Sequence, residues 1–312
     1  NITIAAQAIT LSNGGTITAN TTGNAPAGNI GLATQQLTMT SDSAITSNAR
    51  TGGAGTAGSI TITGAGSAPT TIAGGTVQAQ SETSASAGNI TLQAPGDLTL
   101  FGTTVSVKNT GPGNAGSIGL LAGNDLLVRN SQVSTESAQA SGGDIKLTAP
   151  HLIRVVDSTI SSSVQGQAGS NGGNINIDPQ LVVIQNSQLL ANANAGAGGN
   201  ITIAASGAVL VDPNSLLDAS AGPAGVSGRV NINSPIQVLS GTLVPLKLAY
   251  TQAGLSGDRC AADPKGRFSS FVQTGRDGVP QVPGALSPSP LSFLDTLTSR
   301  SLESQPPNFA AI

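Results

Sequence analysis

The chain has 312 residues and a formal charge of −3. Gly is common at 41 residues, charged residues make up only 9%, and there is no Trp, one Tyr, one Met and five Phe. An ordinary domain carries about 25% charged residues, so disorder driven by high charge is excluded, and the scattered Lys and Arg argue against nucleic acid as a partner. No apolar segment approaches the ~20 residues that span a bilayer, so no transmembrane segment is expected.

The chain opens inside a repeat, at Asn1-Ile2-Thr3-Ile4, and reads as the C-terminal portion of a longer protein. A Gly-(Asn/Ser/Asp/Arg)-(Ile/Val)-x-(Leu/Ile) signature recurs with its first apolar residue at Ile30, Ile60, Ile90, Ile118, Ile145, Ile175, Ile201 and Val230, and Ile2 begins a ninth copy. A second ladder, Ile17, Ile45, Val77, Val105, Val133, Ile160, Leu189, Leu216 and Leu243, keeps a similar period. Self-similarity at this period is the signature of a solenoid.

The copy from Gly88 to Val107 shows the unit. Ile90 and Leu92, Leu98 and Leu100, and Val105 and Val107 alternate with polar residues. Side chains alternate faces along a strand, so these six line one interior. β-branched residues and a period of two argue against helices. Each unit is therefore expected to hold three short strands closed by a Gly/Ala/Ser/Asn-rich loop. Length variation falls in that loop and in the turn between the first two strands. The expected fold is all-β, a right-handed parallel β-helix of about nine coils with three strands each. The hand follows the crossover rule, and stacked Thr, Ser and Asn are expected to cover the outside.

At the corner between second and third strands, Gly102, Asn130, Asp157 and Asn186 occupy one place. Gly and Asn tolerate left-handed backbone, and stacked Asn side chains can hydrogen-bond up a column. Ser131, Ser158 and Ser187 follow directly. The repeat ends near Tyr250, which sets a domain boundary near Ala249: 1–249 is the repeat domain and 250–312 a cap and Pro-rich tail. Tyr250, Phe268 and Phe271 are the expected residues covering the last coil, whose open edge needs protection.

Candidates for chemistry are few. His151 is the only His, and it reads as a corner residue. Cys260 is the only Cys, so it has no internal disulfide partner. Asp97 and Asp125 are equivalent one coil apart. A cation between such stacked carboxylates is one reading; two turn-forming Asp pointing into water is the preferred one, and no metal or other cofactor is expected. The Asn-x-Thr sequons at Asn1, Asn20, Asn89 and Asn200 largely restate the coil signature. Parallel β-helices also serve polysaccharide-binding and polysaccharide-degrading proteins. A glycoside hydrolase commonly needs two carboxyl groups within roughly 5 to 9.5 Å. Asp157 stacks on Asn130 and Asn186 rather than on another acid, so no enzyme is expected.

The tail carries Arg259-Cys260 and then Ser269-Ser270-Phe271-Val272-Gln273-Thr274-Gly275-Arg276-Asp277-Gly278-Val279-Pro280. Following a run of Gly-Asn-Ile-Thr-Leu units, this resembles the C-terminal region of cyanobacterial filamentous-haemagglutinin-like exoproteins of the two-partner secretion type. Their ending reads Cys … Ser-Ser-Phe-x-x-x-Gly-Arg-Gly-Gly-Leu-Pro, from which Asp277 and Val279 depart. The resemblance implies a secreted or cell-surface location, an outer-membrane transporter as partner, and a β-helical shaft. Such a shaft would contact surface glycans or other cells.

Overall fold

A computed structural model describes residues 1–50, 54–165, 170–223, 225–239 and 242–243. The chain divides into two units, Asn1–Tyr250 and Thr251–Ile312. Tyr250, Cys260, Phe268 and Phe271 lie outside the described residues.

The first unit is a β-solenoid. Its strands fall into three parallel sheets of nine, each sheet taking one strand from every coil in order. Coil four shows the plan: Ile90–Ala94 in the first sheet, Leu98–Phe101 in the second and Thr104–Asn109 in the third. At about 4.8 Å between neighbours, nine strands rise roughly 38 Å. The first ladder is held in register throughout, with Ile2 over Ile30, Ile30 over Ile60, and so on to Ile201 over Val230. Backbone N–H groups of one coil donate to carbonyls of the next, as Ile60 N does to Asn89 O at 2.9 Å and Ile90 N to Ser117 O at 3.0 Å.

Inward side chains form one aliphatic column. Ile90, Leu92, Leu98, Leu100, Val105 and Val107 are all buried. Each stacks on an aliphatic or small residue of the coils above and below, so the narrow interior needs no aromatic.

The glycine of the signature has a steric cause. A Cβ on Gly88 would lie 2.0 Å from Gly58 O, one on Gly116 would lie 2.1 Å from Gly88 O, and one on Gly143 would lie 1.8 Å from Gly116 O. The same approach recurs at Gly173, Gly199 and Gly228. Here the chain turns into the first sheet, and each coil's backbone runs against the carbonyl of the coil before it.

Two expectations are corrected. Leu216 is not a member of the second ladder: Leu189 stacks on Leu217, which in turn pairs with Leu243. Leu217 is fully buried, whereas Leu216 pairs with Gln188 and is only partly covered. The cause is the corner of coil eight, where Asp212-Pro213-Asn214-Ser215 closes a four-residue turn (Ser215 N to Asp212 O, 3.2 Å) in place of a single left-handed residue. The outside is also not polar throughout. On the second sheet it turns largely aliphatic from coil five: Leu127 in coil five and Val183 in coil seven, with Arg154 between them, occupy the row that holds Thr71 and Thr99 in earlier coils.

Gly116→Ala should cost about 3 kcal/mol, because the clash is with backbone that cannot yield. Gly31→Ala, whose Cβ would meet nothing closer than Ile2 O at 4.0 Å, should stay within about 0.5 kcal/mol. Denaturant midpoints of the two variants measure the contrast.

Candidate functional site

Gly102, Asn130, Asp157 and Asn186 stand at the same corner of successive coils. Their φ angles are 61°, 48°, 48° and 45°. Asn186 Nδ2 donates to Asp157 Oδ1 at 2.7 Å, and the backbone N–H groups of Gly102, Asn130 and Asp157 donate to carbonyls of the following coil. Asp157 is thus a structural acceptor in this column.

Beside it runs a buried hydroxyl ladder that extends the Ser131–Ser158–Ser187 run at both ends. Thr103 N donates to Ser131 Oγ at 3.2 Å, Ser131 N to Ser158 Oγ at 3.1 Å, Ser158 N to Ser187 Oγ at 3.1 Å, and Ser187 N to Ser215 Oγ at 3.2 Å. Ser131, Ser158 and Ser187 in turn each donate to the carbonyl two residues earlier, at 2.7–2.8 Å. Every turn thereby satisfies an N–H that the strand ladders do not reach. None of these hydroxyls touches a histidine.

The structure brings Asp97, Asn124, Asp125 and His151 together on the turn between first and second sheets. Asp97 Oδ1 accepts from Asn124 Nδ2 at 2.6 Å and from Asp125 N at 3.2 Å. Asp125 Oδ1 accepts from Leu152 N at 3.2 Å. Each carboxylate is therefore answered by N–H groups of the next coil. Asn124 Oδ1 pairs with His151 Nδ1. Since the Asn124 amide donates to Asp97, its oxygen receives the Nδ1–H of His151. Among the described residues no group of three or more His, Cys, Asp or Glu could hold a metal ion.

Three further cations contact groups on neighbouring coils. Lys108 Nζ lies 3.1 Å from Glu136 Oε2. Arg154 donates twice to Gln185 Oε1, at 3.1 and 2.7 Å. Arg129 sits 5.9 Å from the centre of the Phe101 ring. The Asp42 carboxyl is held below its ordinary value by the Thr40 hydroxyl first and by its own and the Gly14 backbone N–H next. A carboxyl kept ionised in this way is the opposite of a general acid.

Sequence reasoning missed the concave features. Two cavities of about 400 and 350 Å³ share Ser163 and Val164 and together make a furrow along the third sheet, bordered by Lys108, Glu136, Asn192 and Ser220. A third of about 520 Å³, beside Thr148, Asp178 and Asn233, lies over the turn into the second sheet. Thr148 Oγ1 is buried there without a protein partner. The signal for the furrow was the outward polar residues of successive third strands. Its depth depends on how the closing loops stand beside them.

Ser158→Ala should cost about 2 kcal/mol by leaving the buried Ser131 N–H unanswered, read as a shift in denaturant midpoint. Asp97→Asn keeps an acceptor for the Asp125 N–H. Its melting temperature, and that of the parent chain, should be unmoved by millimolar calcium; a rise in the parent abolished by Asp97→Asn would establish a cation site instead.

Among the described residues no helix is long and apolar enough to cross a membrane. Comparison with family models, with curated proteins and with solved structures gave no match.

Proposed function

We propose that the chain is the structural and adhesive shaft of a secreted or cell-surface exoprotein, making surface or cell contact without catalysis. The observation that carries this reading is the unbroken stack. Nine coils stack in one register, and Asp97, Lys108, Glu136 and Arg154 each contact a group on a neighbouring coil rather than converging on one place. Such a body is stiff along its axis and presents repeated, weakly charged faces, polar on the third sheet and largely aliphatic on the later coils of the second. Contact through it is made over area. The resemblance of the tail supports export through an outer-membrane transporter of the two-partner type, and hence the location.

A second reading, polysaccharide binding or degradation, is favoured by the furrow along the third sheet. Its Ser, Asn, Lys and Glu side chains offer donors and acceptors suited to sugar hydroxyls.

Beads coated with the chain should adhere to cells or polysaccharide-coated surfaces with a strength that grows with coating density. A panel of soluble polysaccharides incubated with the chain should yield no new reducing ends. Release of oligosaccharides would overturn the non-catalytic reading. Saturable binding to one class on a glycan array, lost in a Glu136→Ala variant, would favour the second.

A further inference from the structure

The outer side of the second sheet changes character along the stack. Coils two to four carry Thr38, Thr71 and Thr99 there, with Phe101 exposed at the end of the coil-four strand. From coil five onward the outward positions include Leu127, Leu152, Val183, Leu210, Ile236 and Val238. Leu210, Ile236 and Val238 are 39, 60 and 51% exposed. The strands Leu152–Val156 and Leu181–Gln185, Leu-Ile-Arg-Val-Val and Leu-Val-Val-Ile-Gln, lack the alternation of a half-solvated sheet. Parallel strands that are apolar on both faces are normally covered on both. Among the described residues, the core covers only the inner face.

We propose that this face pairs with the same face of a second copy of the chain, and the charges at its border select that occupant. Strand Asp125–Arg129 begins with a carboxylate, ends with a guanidinium and presents Leu127 between them, all on the outer side. A two-fold axis parallel to the stack opposes coil five to coil five with strands antiparallel. Asp125 of each copy then faces Arg129 of the other, twice. Leu127, Val183, Leu210 and Val238 meet their own counterparts, as an isologous interface requires. Arg154 is the one charge inside the patch. Its two bonds to Gln185 draw the guanidinium toward the far end of the strands and off the midline, so the two copies' cations are displaced to opposite edges.

Coil spacing is common to both copies, so the aliphatic rows match coil for coil along the whole face. The face is about 24 Å tall and about 14 Å wide, below the roughly 800 Å² per partner of standard interfaces. The pair is therefore weak and fills at high local concentration, as among shafts crowded on one surface. The pairing stands independently of the contact function proposed above.

Sedimentation equilibrium of the full chain over a concentration series tests it. The expected result is a reversible dimer, weakened about tenfold or more by Leu210→Arg, which points a charge outward without touching the core. Asp125→Arg and Arg129→Asp should each weaken it, and the double reversal should restore it to within about threefold. A photo-crosslinking residue at position 210 should join isotopically light to heavy copies, which reads the contact even if a charge reversal disturbs the coil. A monomer at every concentration, a dimer indifferent to Leu210→Arg, a double reversal that fails to restore pairing, or cross-links only to residues 244–312 of the same copy would each overturn the proposal.

Discussion

The structure rests on the parallel hydrogen-bond ladder between successive coils. A parallel strand reaches its neighbour only through a long crossover, and here that crossover is the rest of the coil. Each coil must therefore superpose on the one below at every corner, because a mismatch at one would break all three sheets. This explains why the most restrictive positions are corners rather than core positions. The core accepts Ile, Leu, Val, Met or Ala. The entry to the first sheet accepts only Gly, since a methyl group would meet the previous carbonyl at about 2 Å. The left-handed corner takes Gly, Asn or Asp for the related reason that φ is positive there.

Polar side chains serve the same superposition. The Ser ladder, the Asp97–Asn124–Asp125 turn and the Asn column at the coil entries (Asn29 N to Asn1 Oδ1, 2.8 Å; Ser117 N to Asn89 Oδ1, 2.8 Å) each answer an N–H that faces a turn rather than a strand. A buried N–H without an acceptor costs about as much as a core methylene pair, so the buried Ser ladder holds its corners firmly, while the exposed Asn bonds at the coil entries fix register at smaller gain. Apart from Asp125, which also borders the outer side of the second sheet, their chemistry is consumed by the fold. The residues left for contact with other molecules are the outward ones: the polar furrow of the third sheet and the aliphatic face of the second.

Much of this was legible in the residues. The period, the three-strand unit and the Gly102–Asn130–Asp157–Asn186 corner follow from spacing, because a solenoid copies local geometry at fixed intervals. The exception is instructive. Leu216 and Leu217 are both apolar, so hydropathy could not choose between them, and the choice was made by a turn one residue longer at Asp212–Ser215. The aliphatic outer face was written in Leu152–Val156 and Leu181–Gln185 as lost alternation. Inward positions in those strands are still filled as the repeat demands, so the periodicity alone does not single that face out.

The sequence by itself therefore determined the coil: its near-constant length, its three strands and its inward aliphatic set, since each is a local preference repeated in every coil, and with them the left-handed corner of coils four to seven. Only the tertiary structure decided what the coils do to one another. It set which serine hydroxyl accepts which N–H, how close one glycine comes to the next, and that Asp97, Asn124 and His151, 54 residues apart from first to last, share a hydrogen-bonded chain. These depend on axial stacking at strand spacing, a distance that no single coil contains.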